Sequence, residues 1–405
     1  MEKKKNRKKP WRRWQHGPVQ LLLRFLLRPV IVLRYRIRID RFRDRRQVLV
    51  LTNHQTAFDQ FFISLSLRRT VYFLASEDLF TKGWLSRLIA WLAAPIPIRK
   101  SMTDVRAVVT AMRVSREGGT IALAPEGNRT YSGATGDMKE SVAPFVRSLG
   151  LPLALFRIEG GYGVHPRWSD AVRRGRMRAG VRRVIEPSEI AAMTDAELFA
   201  LISRELFVDE SAPSEEVFRH PRRAEYMERA LYYCPDCGMT RLVSEGAYIT
   251  CTSCRRRVEY SENKELRGVD RPFPYRSVGE WYRAQSSAMR ELDLSPYGDT
   301  PLFEDTVMLF EEIPYKKKLC LGEEVHLSAY ADRYELRTER ETLVFPYEEL
   351  SATSVLGRNK LNLYEGSRIF QIKGDKRFCA LRYMNLFYRV KNEKEGNRYA
   401  EFLGI

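Results

Sequence analysis

The stretch Gln47–Asp59, QVLVLTNHQTAFD, decides how this chain folds. Four consecutive apolar residues, Val48–Leu51, run into a polar turn and then into a helical AFDQFFISLSL. The same alternation continues outward to about Pro187. VYFLAS precedes a helical GWLSRLIAWLA, PIPIR precedes Thr103–Glu117, TIALAPEG precedes Lys139–Leu149, and LPLALFRI closes the series. Short strands and helices in turn predict an α/β domain with a mostly parallel sheet. The whole chain of 405 residues is 44% hydrophobic and 30% charged, the balance of a globular protein with room for two or three domains. Collagen-like, low-complexity and disulfide-dense classes are excluded by 24 Gly, 19 Pro and six Cys.

Open α/β sheets place their chemistry at the carboxyl ends of strands. Three such ends carry charged or titrating groups. The first is Asn53-His54-Gln-Thr-Ala-Phe-Asp59, where the carboxylate can fold back onto the imidazole, fix its tautomer and favour the imidazolium. The second, APIPIRK, delivers Arg99 from an apolar strand. The third, APEGNR, offers Glu126, Gly127 and Arg129. Two arginines converging on a His–Asp pair suit a phosphate-bearing substrate, because the planar fork binds phosphate oxygens bidentately. Taken singly, the pair also fits a strand-end histidine beside a helix-start carboxylate, and either arginine fits a surface ion pair.

NHxxxxD, PIPIR, PEGNR and LPLALF together resemble the four-block pattern of the glycerolipid acyltransferases, the lysophosphatidic acid acyltransferase family, over about residues 20–190. The resemblance implies transfer of an acyl group from a thioester, acyl-CoA or acyl carrier protein, to a lysophospholipid hydroxyl, 1-acyl-glycerol-3-phosphate first among them. It makes His54 the general base and Asp59 its orienting partner, and gives Arg99, Glu126, Gly127 and Arg129 to acceptor binding. Ala124 stands where the family commonly has an aromatic residue, Asn128 where it has Thr or Ser, and Leu155 where its fourth block often ends in Pro.

Charge is concentrated at one end. Of the formal net +18, residues 1–46 carry +14 and the remainder only +4. A polybasic arm seeks an anionic surface, and here Trp11 and Trp14 precede VQLLLRFLLRPVIVL, Val19–Leu33. Arg24, Arg28 and Pro29 interrupt that run, which predicts a helix lying in the membrane interface with its basic side chains snorkelling to headgroups. Trp84–Ile98 is a second candidate for lipid contact. A later cluster, Arg167, Arg173, Arg174, Arg176, Arg178, Arg182 and Arg183, offers itself to headgroups or to an acidic donor, and equally reads as a solvated face.

Cys234-x-x-Cys237 and Cys251-x-x-Cys254 stand thirteen residues apart, the spacing of two thiolate knuckles that close a tetrahedral structural Zn2+ site. Thiolates held by zinc imply a reducing compartment, hence the cytoplasmic face of the membrane, with the protein monotopic or peripheral. Cys320 and Cys379 read as core fillers. From Asp305 the texture turns to short strands, TVMLFEE, KKLCLG, EVHLSAY, RYELR, TLVFP, KLNLYE and RIFQI, closed by a helical RFCALRYMNLFYRVKN. This resembles a pleckstrin-homology (PH) or GRAM-like barrel.

The expected organisation is therefore a basic interfacial segment over 1–46, an acyltransferase domain over 47–190, a helical linker over 191–232, a zinc ribbon over 233–260, a second linker over 261–304 and a PH-like β domain over 305–405. Two rival readings are a catalytically silent membrane adaptor and a zinc-ribbon nucleic-acid binder. Nucleic acid is not expected as a partner, because the arm carries an apolar run with no use on DNA.

Overall fold

The computed structural model describes residues 10–98, 104–313, 316–398, 400 and 402. From the amino terminus, α1 (His16–Tyr35) and β1 (Ile37–Ile39) lead into β2 (Leu49–Thr52), α2 (Asp59–Ser66), β3 (Val71–Ser76), α3 (Trp84–Leu92) and β4 (Ile96–Ile98). Next come α4 (Val105–Arg116), β5 (Thr120–Leu123), α5 (Val142–Leu149), β6 (Leu153–Glu159) and the single turn α6 (Gly161–Val164). Then β7 (Met177–Ile185), α7 (Pro187–Ala192) and α8 (Asp195–Leu206) follow.

The sheet order is β1-β7-β6-β2-β5-β3-β4. β6, β2, β5, β3 and β4 run parallel, while β7 lies antiparallel on β6 and carries β1. The sheet is thus mostly parallel, as the sequence predicts, and is made mixed by the antiparallel β6–β7 pair, which the sequence reading does not anticipate. MRAGVRRVI interleaves arginine with apolar residues, so its strand character is hidden in a stretch that reads as a basic cluster. The arginines are accordingly spread out. Arg167 and Arg173 are buried, Arg178 pairs with Asp40, Arg182 with Glu159 and Arg176 with Glu216.

Both sheet faces are covered. Leu49 and Leu51 pack with Ile121, Leu153 and Leu155 on one side, and Val50 packs with Phe62, Ala122, Ala154 and Phe156 on the other. A parallel core buried on both faces needs near-continuous apolar strands, which is why Val48–Leu51 has no polar alternation. α1 joins this domain through Gln20, whose side-chain amide exchanges hydrogen bonds with the Val71 backbone at 2.9 and 3.0 Å. Its opposite face exposes Leu21, Leu22, Phe25, Leu26 and Leu33. Among the described residues, α1 is the one helix long and apolar enough, by length and composition, to cross a bilayer.

The capping box Thr194/Glu197 starts α8 as the sequence predicts. The helical linker, however, ends at Leu206. Residues 207–226 form no helix, since Pro213 and Pro221 deny backbone donors and no apolar 3.6-residue repeat drives one. Next come β8 (Tyr233–Cys234), β9 (Gly238–Met239), β10 (Leu242–Glu245) and β11 (Tyr248–Cys251), with Cys234 and Cys251 at strand ends and Cys237 and Cys254 in the turns that follow them. β10, β11, β12 (Arg257–Tyr260) and β13 (Leu266–Gly268) form a four-stranded antiparallel sheet. α9 (Val278–Glu291) fills the stretch expected to be a linker.

The C-terminal unit is an antiparallel half-barrel of β14 (Phe303–Glu311), β15 (Leu319–Ala329), β16 (Arg333–Arg337), β17 (Thr342–Pro346), β18 (Leu350–Leu356), β19 (Lys360–Glu365) and β20 (Arg368–Lys373), in the order β17-β16-β15-β14-β20-β19-β18. α10 (Ala380–Lys394) packs against it. Two strands expected on either side of Gly322 are one, because Gly322 sits at a register shift in the ladder rather than at a turn. β18 escapes sequence reading because LSATSVL buries Thr353 and Ser354 among its apolar residues. Cys379 is buried as expected, but Cys320 is exposed on β15. A single apolar core runs through this half-barrel, α9 and the cysteine sheet, and reaches Tyr131, Tyr162 and Trp168 of the α/β domain.

Candidate active site

β2 is the central strand of the sheet, so the loop leaving it is flanked by those leaving β5 and β6. Asn53 ties the first to the third, its side-chain amide exchanging two 2.8 Å hydrogen bonds with the Ile158 backbone. His54 follows, with Nδ1 2.8 Å from Asp59 Oδ2. The Asp59 carboxylate also accepts from the backbone N–H of Gln55 at 2.8 Å, from that of Thr56 at 2.9 Å and from Thr56 Oγ1 at 2.7 Å. So many donors fix its rotamer. They also place the imidazole proton on Nδ1, which makes Nε2 the basic nitrogen. The His54 side chain is 26% exposed and that of Asp59 only 4%, so the base faces the surface and its partner does not.

The β5 loop is stitched to this one. Glu126 is buried; Oε1 accepts from the His54 N–H and Oε2 from the Gly136 N–H, both at 2.7 Å. Thr130 N–H returns a bond to the His54 carbonyl at 3.3 Å. Gly127 turns between them at φ 65°, a left-handed conformation that costs glycine nothing. Burial pushes the Glu126 carboxyl up to about 8, against the pull of its two backbone donors. Glu126 therefore braces the His54 backbone, a use that a carboxylate in a motif does not announce.

Arg129 projects beside this pair, near enough to feel the Asp59 charge. Burial first, then the neighbouring Arg167 and Arg358, pull its guanidinium down to about 10. Its Nη1 is buried without a hydrogen-bond partner, an expensive arrangement for a cation unless an anion is meant to meet it. The structure thus brings His54, Asp59, Glu126, Gly127 and Arg129 to one end of the sheet. Arg99, expected to complete the set after β4, lies outside the described residues.

Two residues beside the site carry no motif. Tyr35, the last of α1, sets its ring against Phe58 with centroids 5.3 Å apart, and its hydroxyl lies 3.2 Å from His165 Nδ1. Burial drives His165 down to about 3, so it is neutral at ordinary pH. Only their meeting in the fold, 130 residues apart in sequence, marks them.

The four cysteines converge elsewhere. Their sulfurs all lie within 4.8 Å of one another, with Cys234–Cys254 at 3.6 Å and Cys237–Cys251 at 3.9 Å. All four are free thiols. Tetrahedral thiolates about 2.3 Å from a zinc ion stand roughly 3.8 Å apart, so this set fits the metal. Arg271 donates to Cys254 Sγ at 3.3 Å, and Asp236 holds both Arg256 and Arg271 in place. The cluster could hold a metal ion as it stands.

Comparison with known proteins gives three results. Residues 34–158 match the family model described as Acyltransferase. The crystal structure of the 1-acyl-sn-glycerophosphate (LPA) acyltransferase PlsC from Thermotoga maritima is similar at 19% identity and a TM-score of 0.37, covering 47% of this chain and 85% of that one. No curated protein matches the chain significantly. The segment matched by the family is the one that brings the His54 and Glu126 loops together: over residues 34–158 this chain carries an acyltransferase-family domain.

Proposed function

We propose that this protein transfers an acyl group from a thioester to the free hydroxyl of a lysophospholipid, with 1-acyl-glycerol-3-phosphate as the leading acceptor. The observation that carries the reading is the 2.8 Å His54–Asp59 pair at the carboxyl end of the central strand, with His54 partly exposed and Asp59 buried behind it. His54 Nε2 takes the proton as the acceptor oxygen attacks the thioester carbonyl. The tetrahedral centre then collapses, the carbon–sulfur bond breaks, and the imidazolium returns the proton to the departing thiolate. Asp59 stabilises the imidazolium and is not itself protonated. Glu126 holds the His54 backbone in register, and Arg129, with its unsatisfied buried Nη1, receives the acceptor's phosphate. Arg99 joins it there by resemblance alone.

The exposed apolar faces of α1 and α3, including Phe25, Leu26, Trp84 and Trp91, rest in the lipid interface, so that lysolipid and acyl chain enter sideways. Gln20 and Tyr35 anchor α1 to the sheet domain along its length, which favours lying in the interface over crossing it. Cys234, Cys237, Cys251 and Cys254 hold structural zinc, which would place this part of the chain in a reducing compartment. Coenzyme A and acyl carrier protein both remain as thioester carriers.

The test is acyl transfer by purified protein in detergent, offering a panel of lysolipids with both donors, beside His54→Ala. Transfer by the parent and none by the variant is the expected result. No transfer to any acceptor by a folded, zinc-loaded sample would sink the reading in favour of a membrane adaptor.

A further inference from the structure

The C-terminal half-barrel reaches the acyltransferase site through one tight turn. Gly357, Arg358 and Asn359 join β18 to β19, with Gly357 at φ 62°. At its tip, Arg358 Nη2 donates to His165 Nε2 at 2.9 Å and Nη1 lies 3.0 Å from Asp170. That bond leaves His165 Nδ1 to carry the ring proton, which it donates to Tyr35. Arg167 fastens the same turn from the other side. It donates to the carbonyl of Arg129 at 3.0 Å and to that of Val355 at 2.8 Å. One guanidinium thus joins the PEGNR loop to the barrel.

The charges gathered there do not balance. Arg229 and Arg358 share one carboxylate, Asp170, at 2.7 and 3.0 Å. Arg167 bonds only to backbone carbonyls and lies 4.2 Å over the Tyr131 ring. Arg129 has a buried Nη1 with no partner. Among the described residues, Asp59 is the carboxylate whose charge reaches Arg129, and its oxygens are already engaged by His54, Gln55 and Thr56. Glu126, the site's other carboxyl, is disfavoured as an anion by burial and spends its oxygens on two backbone N–H groups. Four guanidiniums around one available carboxylate leave an excess of positive charge, in partly buried surroundings where it is felt strongly. That excess is larger than a singly charged phosphodiester headgroup neutralises. It suits a phosphate monoester, which carries close to two negative charges at neutral pH.

We propose that Arg358, contributed by the C-terminal half-barrel, is a cation of the acceptor's phosphate pocket beside Arg129, so that the barrel turn sets the preference for a phosphate-monoester acceptor over a phosphodiester one. The proposal rests on the acyltransferase reading for the acceptor, but the pocket's charge stands apart from it. It also gives the barrel a use in the reaction, since its turn becomes a wall of the site.

The experiment uses the full chain and Arg358→Gln. The KM for 1-acyl-glycerol-3-phosphate should rise about tenfold, the effect of losing one charge-assisted hydrogen bond, with kcat within about twofold. The KM for a lysophosphatidylcholine and for the thioester should not move. Arg358→Lys, which keeps the charge and loses the fork, should fall between, and carries the test if the glutamine variant does not fold. An unchanged KM for the monoester, or the same change for both acceptors, overturns the proposal, and the latter makes Arg358 a mere interdomain latch. If the parent acylates no lysolipid, the function proposed above fails, and inorganic phosphate alone then decides this one. Phosphate should raise the melting temperature of the parent and not of Arg358→Gln; no rise in the parent overturns the pocket as well.

Discussion

The His54 loop and the four-cysteine knuckle each hold a few reactive side chains in fixed geometry, and they do it by opposite means. The loop is braced by other parts of the protein, Asn53 to β6 and Glu126 to the His54 N–H, and from within by Thr56 and Gln55 donating to Asp59. It stands on strands whose two faces are buried in separate apolar layers. The knuckle draws its sulfurs from two turns, Cys234 and Cys237 around a hairpin with strands of two residues each, and Cys251 and Cys254 at and after the end of β11. Cys234 and Cys251 are buried, while Cys237 is exposed and the Asp236–Arg256–Arg271 ion pairs line the open side. A site carried by a two-layer core keeps its shape without help. One carried by turns needs a bound ion to tie them together.

The comparison breaks most sharply at His54. His54→Ala should lower kcat by about 10³-fold or more while leaving the melting temperature within a few degrees, and Asp59→Asn should cost about 10²- to 10⁴-fold. A transfer rate that survives His54→Ala would remove the base from the loop and leave it a structural element only. At the knuckle, metal analysis should find about one zinc per chain. A chelator should release it, expose Cys234, Cys237, Cys251 and Cys254 to thiol titration and change tryptophan fluorescence, because Trp281 Nε1 donates to the Tyr233 carbonyl at 2.8 Å beside Cys234. Thiols as unreactive after chelation as before would show that protein packing alone holds the knuckle.

Glu126 sharpens the contrast from the other side. Glu126→Ala leaves two buried N–H groups unmet and should destabilise the protein by about 3 kcal/mol, whereas Glu126→Gln retains an acceptor and should cost about half of that. Equal losses in urea unfolding would show that the brace is not what matters. The pH dependence has a definite sign. The carboxyl is raised from 4.5 to about 8 in the folded protein, so its stabilising contribution is complete below 4.5 and is lost as pH rises through 8. The stability deficit of Glu126→Gln should therefore be largest in acid and shrink by pH 9. The smallest effect lies on the lipid side: Phe25→Asp with Trp84→Asp should weaken binding to anionic liposomes about tenfold without altering the fold. Unchanged flotation would free α1 and α3 from that assignment.

Much of the site was legible because its motifs are short and local. NHQTAFD places His54 and Asp59 within one turn, so the spacing that suggests the pair also builds it. The cysteine spacing is similarly self-sufficient. Less legible was anything whose meaning depends on a distant partner. Glu126 reads as a charged motif residue, yet both its oxygens are occupied by backbone N–H groups, one from the His54 loop and one from farther along its own loop. β7 reads as a basic patch until it pairs with β6, and Gly322 reads as a turn until the ladder shows a register shift.

The sequence by itself determined the alternation of strands and helices through Pro187, the His54–Asp59 pair, the knuckle spacing and the apolar face of α1. Each is a matter of hydrophobic period or of contacts within a few residues, which chain geometry enforces without regard to the rest. Only the tertiary structure decided that one strand pair of the sheet is antiparallel, that Glu126 braces His54, and that Arg167 ties the carbonyl of Arg129 to that of Val355 although more than two hundred residues separate them. The first two come from packing strands and loops within the α/β domain; the third comes from burying apolar faces of two domains against each other, so that the polar groups caught at that seam had to find partners across it.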